Sequence, residues 1–485
     1  MQFVLTAAEI RAAEKSIIDG GVDETFLRFN AALAIADGII ERANAAGAST
    51  AVFCGAGGNG CDGILAAVRL HRAGCAVTVY TVGDEKPNKK ALDFARSSGI
   101  EVKRADEYDG KATVIIDAIF GIGLNRTIAG EIFELINRLN AQDGAFRMAV
   151  DIPSGLNADT GEVMGVAFKA HITLSFSCYK PGMLFGEGRE YCGRILVENI
   201  GVNVSSDITV SENADFKPYE RRADAHKGKS GRTFVIGGCG TMIGAPILAG
   251  AAAHAAHLNG AGTVTVCVPG IHRVALTARA TMTMMKFMPD TKDGFIAFDS
   301  AALDEIIAKA DAIDIGMGMG SAPDLKRILE YINAHFGGVL VIDADALNAV
   351  KGDYKFLCGG KAKIIVTPHV GEFERLTGGK ANIENAKALA RDIGGVVVLK
   401  SATTIITDGV VTRLNISGTP AMAKGGTGDV LGGCITALAC AYPPIDAATI
   451  ACYRNGYGAE RAVSSYAQMM LTPYDILHLA NYPEV

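Results

Sequence analysis

The chain contains no tryptophan, and its aromatic residues amount to only 7%. Its interior must therefore be built mainly from aliphatic side chains and close backbone contacts. Proline is scarce, at 14 of 485 residues, so helices and strands run with few forced breaks. Charged residues make up 20% and the net charge is −6, with no long basic run. Bulk electrostatics thus gives no support to a nucleic-acid partner. A membrane-spanning stretch is missing too: the alanine-rich run near residues 244–257 contains Pro246 and His254 and falls short of the roughly 20 apolar residues a span needs. The N-terminal MQFVLTAAEIRAAEKSI has no basic segment followed by an apolar run, so no signal peptide is expected. Eleven cysteines, an odd number with no CxxC pair, argue against a disulfide framework or a cysteine zinc site. Free thiols in a reducing compartment, the cytoplasm, are the expectation.

Glycine is abundant, at 58 residues, and hydrophobic residues reach 49%. A chain of this length suits two or three domains. Apolar, β-branched runs alternate with helical patterns in two stretches. The first has strands at Ala51–Cys54, Ala76–Tyr80, Val114–Asp117 and Met148–Asp151, with helices at Gly63–Arg72 and near Ala91–Ser97 and Ile132–Leu139. The second has strands at Thr233–Ile236, Thr263–Val268, Ala312–Ile315, Val339–Asp343, Lys363–Val366 and Val396–Lys400, then a hairpin of Thr404–Thr407 and Val410–Leu414. This rhythm predicts α/β architecture: two three-layer domains with parallel sheets covered on both faces. Between them, residues 201–231 are polar and without period. The expected boundaries are a first domain over 1–205, a linker over 206–220 and a second domain over 221–485.

Ligands of open α/β sheets gather at the C-terminal ends of strands. In the second domain five such ends are polar or glycine-rich: GGCGTMIGAP, GMGMG, DADALN, TPHVGE and KSATT. Further on, Gly425, Gly426, Thr427 and Gly428 precede Asp429 and a long apolar helix. Glycines there allow several amides to converge at the positive end of a helix, an anion hole for a phosphoryl group, and Asp429 is placed to act as a base. A lone GxGD is more often only a turn and a cap; the other strand ends tilt the balance. His254 and His257 read as incidental on an alanine-rich helix, and Lys227 and Lys229 as solvated lysines. Asp343 and Asp345 are expected to cap or order their loop. In the first domain, Gly55–Gly63 follows a strand and leads into a helix, Asp117 ends a second strand, and Asp151 opens DIPSGLNADTG after a third. Three strand ends converging on one edge favour a site over loop ordering alone.

In this order, HKGKSGRTFVIGGCGTMIGAPILAGAAAHAAHLNGAGTVTV, DADALN, TPHVGEFERLTG, VLKSATTIITDG and AMAKGGTGDVLGG resemble the ADP/ATP-dependent NAD(P)H-hydrate dehydratase family, over essentially all of 221–485. The resemblance implies a ribokinase-like fold, Asp429 as the catalytic aspartate, Gly428 beside the nucleotide phosphates, and Lys400, Ser401, Ala402, Thr403 and Thr404 as the nucleotide-binding segment. Ala245, Gly318 and His369, with Asp429, would line the pocket for the hydrated dinucleotide. Mg²⁺ and ADP or ATP are implied, the cation with no ligands named. Val370, Ser401 and Thr419 depart from the usual pattern.

Residues 1–205 resemble the NAD(P)H-hydrate epimerase family, with its Rossmann-like fold and bound K⁺. By that resemblance Asn59, Asp117 and Ser154 would hold potassium. Gly58, Asn59, Gly60, Cys61 and Asp62, then Gly121, Ile122, Gly123, Leu124, Asn125, Arg126 and Thr127, would contact the hydrate, with Asp151 the proton-transfer residue. Ala56, Gly58, Cys61 and Phe29 stand where the family has proline, asparagine, glycine and glutamate. The whole resembles a bifunctional repair enzyme acting on NAD(P)H hydrates with ADP or ATP, without nucleic-acid or membrane partners, and homo-oligomeric through its alanine-rich helices. A ribokinase-like small-molecule kinase with a non-catalytic N-terminal binding domain is the competing expectation.

Overall fold

A computed structural model describes residues 1–42, 48–212, 215, 230–255, 261–278, 283–465 and 468–479. Lys227, Lys229, His257 and, of the expected linker, residues 213, 214 and 216–220 lie outside these residues. By internal contacts the chain divides between Ser206 and Asp207, with Met1 grouped with the second unit.

The first unit holds strands β1 (Ser49–Cys54), β2 (Ala76–Thr81), β3 (Glu101–Arg104), β4 (Val114–Ala118), β5 (Phe146–Val150), β6 (Ile172–Phe176) and β7 (Arg194–Glu198). They form one sheet in the order β3-β2-β1-β4-β5-β6-β7, and every pair is parallel. The direction of winding reverses between β1 and β4, which opens a crevice there. Apolar clusters lie on both faces: Ile35, Ile39, Val52 and Ile116 belong to one, Phe53, Ile115 and Phe168 to the other. The few aromatics are concentrated. Phe53 stacks on Tyr80 at 5.1 Å and Tyr108 meets both edge-on, which adds to stability beyond the area buried.

The helix after β1 runs over Gly58–Arg72, starting five residues before the expected Gly63. The glycine stretch is therefore largely the first turns of a helix, not a loop. Glycine is needed there for closeness: a Cβ on Gly60 would lie 1.8 Å from the Gly55 carbonyl oxygen, and one on Gly63 would lie 2.6 Å from Ala118 Cβ.

The second unit holds β8 (Ile208–Val210), β9 (Arg232–Ile236), β10 (Thr263–Pro269), β11 (Met284–Met288), β12 (Ala312–Ile315), β13 (Val339–Ile342), β14 (Lys363–Val366), β15 (Val396–Leu399), β16 (Thr404–Thr407) and β17 (Thr412–Asn415). Their order is β8-β17-β16-β15-β14-β13-β12-β9-β10-β11. All pairs are parallel except those made by β16, which turns back on β15 and then on β17. Here the winding reverses between β9 and β12.

Three details differ from the sequence expectation. Strand β8 falls inside the stretch expected as linker: the β-branched Ile-Thr-Val finds the open edge of β17 and pairs with it in parallel. The last strand begins at Thr412 rather than Val410, because the Asp408 carboxylate accepts from the amides of Val410 and Val411 and holds them in the turn. Strand β13 stops at Ile342 because Asp343 caps the helix Ala344–Ala349. All eleven cysteines are free, eight of them buried, so the thiols serve as small core residues. Among the described residues no helix is long and apolar enough to cross a membrane.

The helix Thr427–Leu438 packs tightly on the helix Gly244–Ala255. A Cβ on Gly433 would come 2.1 Å from the Ala249 carbonyl oxygen and 3.0 Å from the Ala253 nitrogen. Gly433→Ala should therefore destabilise the second unit by about 1–3 kcal/mol in denaturant unfolding, as overpacking does. Gly337→Ala, into open space, should change stability by less than about 0.5 kcal/mol. Equal effects of the two would show that this helix contact is not under steric constraint.

Candidate functional site

In the first unit a cleft of about 570 Å³ opens at the β1/β4 crevice, within the size range of ligand pockets. Its walls include Gly58, Asn59 and Asp62 from the helix after β1, and Gly121, Ile122, Gly123, Leu124, Asn125 and Arg126 from the loop after β4. Asp151 comes from the end of β5, and Glu14 and Arg28 from the helices Ala7–Asp19 and Glu24–Arg42. Gly60, Cys61 and Thr127 are not among the lining residues. Gly60 is taken up by its approach to Gly55, and Cys61 packs against the apolar core.

Behind the cleft, Asp117 is fully buried. Ser154 donates to it from its amide at 2.8 Å and from its hydroxyl at 2.6 Å, and the Ile119 amide donates at 3.2 Å. Burial lifts the Asp117 carboxyl to about 6, against the lowering effect of these bonds. Asn59 spends its amide protons on the carbonyls of Phe120 and Val150, while the Phe120 amide donates to Ser154 Oγ at 2.8 Å. Asn59, Asp117 and Ser154 are thus brought together around Phe120. The set is oxygen-rich, and among the described residues no cationic side chain is hydrogen-bonded to Asp117. That donor chemistry fits a hard monovalent cation.

Asp62 is pushed to about 7 by burial, despite Arg28, whose guanidinium lies 3.2 Å from its carboxylate. Arg28 also explains Gly58: a Cβ there would lie 3.0 Å from Arg28 Nη1, so the guanidinium lies against the space a side chain on Gly58 would enter. Asp151 has φ of +65°, a strained value for a non-glycine residue of the kind found at functional sites. Its carboxylate meets the ammonium of Lys180 and accepts from the Phe176 amide at 3.2 Å. Lys180 and Glu14 were not among the residues singled out from sequence. Lys180 carried one visible signal, a lysine in the otherwise apolar, cysteine-bearing SCYKPG.

In the second unit the helix Thr427–Leu438 begins after Gly426, whose φ is +96°, and Asp429 lies in its first turn. Burial lifts the Asp429 carboxyl to about 6, with the charge of Asp343 adding and Lys400 opposing. Lys400 lies at the end of β15 and its ammonium is 2.9 Å from Asp343 Oδ1. Burial works against that ammonium, but Asp343, with Glu372 and Asp429, outweighs it and raises Lys400 above its ordinary value. A Cβ on Gly428 would sit 3.5 Å from Lys400 Nζ and 3.7 Å from Asp343 Oδ2. Gly428, Asp429, Lys400 and Asp343 therefore form one cluster. Asp343 both caps its helix, accepting from the Ala344 amide at 2.9 Å, and holds Lys400. Asp345 accepts from the Gly320 amide at 2.7 Å.

At the β9/β12 crevice Gly318 has φ of +65°, and a Cβ on it would stand 3.3 Å from Ala245 Cβ, so these two positions meet. His369 caps the helix Val370–Thr377 reciprocally with Glu372, and its backbone bridges to Lys400; its side chain is about half exposed, at 54%. Ser401 and Thr404 tie down the turn after β15, Ser401 Oγ donating to the Thr403 carbonyl and Thr404 Oγ1 to the Ser401 carbonyl. Thr419 caps a short turn through the Ala421 amide. One further carboxyl escaped the sequence reading. Asp314, in the middle of β12, is fully buried, both its oxygens lack a donor, and burial with the charges of Asp343 and Asp429 raises it well above the ordinary range. Among the described residues no group of three or more His, Cys, Asp or Glu side chains forms a metal cage.

Two α/β units, each with a polar site at the C-terminal ends of parallel strands, define a two-domain protein of nucleotide-binding type. The family model described as NAD(P)H-hydrate dehydratase matches residues 233–480, and that described as YjeF-related protein N-terminus matches residues 24–182. A bifunctional NAD(P)H-hydrate repair enzyme of Pyrobaculum aerophilum is 32% identical over 483 residues, covering 95% of this chain and 94% of that one. The enzyme of the same description in Moorella thermoacetica is 32% identical over 519 residues, covering 99% and 96%. A solved ADP/ATP-dependent NAD(P)H-hydrate dehydratase from Bacillus subtilis is 28% identical, with a TM-score of 0.46, and covers 54% of this chain and 92% of that one. The chain belongs to the family of bifunctional NAD(P)H-hydrate repair enzymes.

The raised carboxyls carry a stability consequence. Asp62 and Asp314 stand above their ordinary value of 3.8 in the folded chain, so the folded state keeps protons that the unfolded chain gives up. Stability therefore falls as pH rises through the window from about 4 to 7. Melting curves across that window should show this slope, with Asp62→Asn flattening it in the first unit and Asp314→Val in the second. An unchanged slope in both variants would mean that neither carboxyl is protonated when folded.

Proposed function

We propose that the second unit dehydrates the S hydrate of NADH or NADPH at the expense of ADP or ATP, and that the first unit interconverts the R and S hydrates so that both are repaired. The observation that carries the first half is the cluster of Asp429, Gly428, Lys400 and Asp343 at the start of the helix Thr427–Leu438. In the hydrate, water has added across a ring double bond and left a hydroxyl on C6. Hydroxide is a poor leaving group and phosphate a good one. Asp429 takes the proton of that hydroxyl, whose oxygen then attacks the terminal phosphorus of the nucleotide. The ring nitrogen lone pair expels phosphate, and loss of the C5 proton restores the double bond. The amides from Gly425 to Gly428 face the charge on the transferring group, while Lys400, kept cationic by Asp343, lies beside it. Ala245, Gly318 and His369 form the hydrate side of the pocket, and Ser401 to Thr404 the nucleotide side. A divalent cation, Mg²⁺, would arrive with the nucleotide phosphates and share their charge.

In the first unit, inversion at C6 requires a bond to that carbon to break and re-form. Removal of the C6 hydroxyl proton opens the C6–N1 bond to an aldehyde while the ring nitrogen takes up a proton, and closure on the opposite face reverses both transfers. Asp151, at the wall of the cleft, is the group that takes and returns the hydroxyl proton. Asn59, Asp117 and Ser154 would hold K⁺, which supplies a fixed positive charge at the floor of the cleft. The reading places the enzyme in the cytoplasm, where its substrates arise.

The test is recovery of reduced-nicotinamide absorbance from a mixed R/S NADH hydrate with ADP or ATP and Mg²⁺. Asp429→Ala should abolish recovery, whereas Asp151→Ala should slow only the R fraction. A phosphorylated product that accumulates instead of inorganic phosphate would overturn the dehydratase reading. Because Asp429 must be ionised to act and sits at about 6, kcat/KM for dehydration should fall tenfold per unit below about pH 6. A flat profile down to pH 5 would remove Asp429 as the base.

A further inference from the structure

Lys180 is a fully buried ionisable group in the first unit that the reaction above leaves without a role. It is 0% exposed and does not line the cleft. Its ammonium has three partners: the Asp151 carboxylate, Ser175 Oγ at 2.8 Å and the Phe176 carbonyl at 3.4 Å. A buried ammonium is tolerated only where an anion and acceptors use its protons, and among the described residues Asp151 is the anion it meets. The contact is one-sided. Asp151 Oδ1 takes both the ammonium and the Phe176 amide, while Oδ2 receives no donor among the described residues and belongs to a carboxylate that faces the cleft.

The backbone fixes this arrangement from both ends. Asp151, with φ of +65°, receives its own register from the Leu174 carbonyl. Lys180 opens the short helix Pro181–Leu184, where a Cβ on Gly182 would stand 2.0 Å from the Asn157 carbonyl oxygen. Neither residue can shift without moving a neighbouring chain. The charges facing Asp151 from the other elements are acidic: Glu14 on the helix Ala7–Asp19 and Asp62 on the helix Gly58–Arg72, with Arg28 offsetting both. Cys178 is also near.

We infer that Lys180 is a positioning residue for the epimerase reaction: from behind the cleft wall its ammonium holds one oxygen of Asp151 and leaves the second oxygen aimed at the hydrate. It exchanges no proton with substrate. This rests on the cleft being the epimerase site.

The full chain tests it, using the R fraction of NADH hydrate with the dehydratase unit as reporter. Lys180→Met should lower kcat for the R-to-S step about 100-fold while KM stays within about threefold, and should move the acid limb of the rate profile up by about one pH unit, the direction expected when a carboxylate loses its cation. Lys180→Arg, which keeps the charge, should leave the acid limb in place. Lys180→Met combined with Asp151→Asn should be no slower than Asp151→Asn alone, because both act on one group. A Lys180→Met enzyme with wild-type kcat and profile, or losses that multiply in the double variant, overturns the role of Lys180. If Lys180→Met does not fold, an acid limb displaced in Lys180→Arg overturns it equally, and an undisplaced one supports it. An unaffected R fraction in Asp151→Asn removes the epimerase reading itself, a separate failure.

Discussion

A parallel sheet covered on both faces leaves one place where polar side chains can meet a ligand: the ends of its strands. Both units are built under that constraint. Asp117 and Asp151 stand at the ends of β4 and β5, Asp343 and Lys400 just past β13 and β15. Between these ends the described strands are closed and carry no other buried charge, only scattered hydroxyls such as Thr173, Ser175 and Thr233 among apolar residues, with Val235, Ile313, Val341 and Ile365 fully buried in the second sheet. Asp314 is the exception in mid-strand, and its missing donors show what a carboxyl meets when it lies inside the sheet rather than at its edge.

The two sites use the same parts with different charge balance. In the second unit one ammonium, Lys400, pairs with Asp343 and opposes the burial that lifts Asp429, the carboxyl proposed as base, to about 6. In the first unit the corresponding ammonium, Lys180, is withdrawn behind the cleft wall and touches Asp151 directly. The difference matches the two tasks proposed for these carboxyls. A base that must release charge to a phosphoryl transfer profits from a shared cation, whereas one that takes and returns the same proton profits from being held still.

Many strand positions were legible. Ala312–Ile315 and Lys363–Val366 are bounded as the apolar runs suggest, because a buried parallel strand shows itself as an unbroken β-branched stretch. The edges were harder to read. Ile208–Val210 is too short to register as a strand until the open edge of β17 is beside it, and Val410–Val411 look like strand residues but are held in a turn by Asp408. The helix start at Gly58 was hidden because glycine propensity argues against helix, and only the approach to Gly55 and Ala118 explains it.

By itself the sequence determined the two α/β domains, the glycine turns, and Asp117, Asp151 and Asp429 as the carboxylates to watch, because periodicity and strand-end chemistry are local properties of the chain. The family resemblance, carried by contiguous motifs, was readable for the same reason. Only the tertiary structure decided which distant residues share a site: Lys400 with Asp343, Lys180 with Asp151, Arg28 with Gly58 and Asp62. These pairs are separated along the chain and joined by strand order, and burial then sets their charge. A linear sequence carries neither the neighbour nor the dielectric, and both are needed to turn an acid into a base of defined strength.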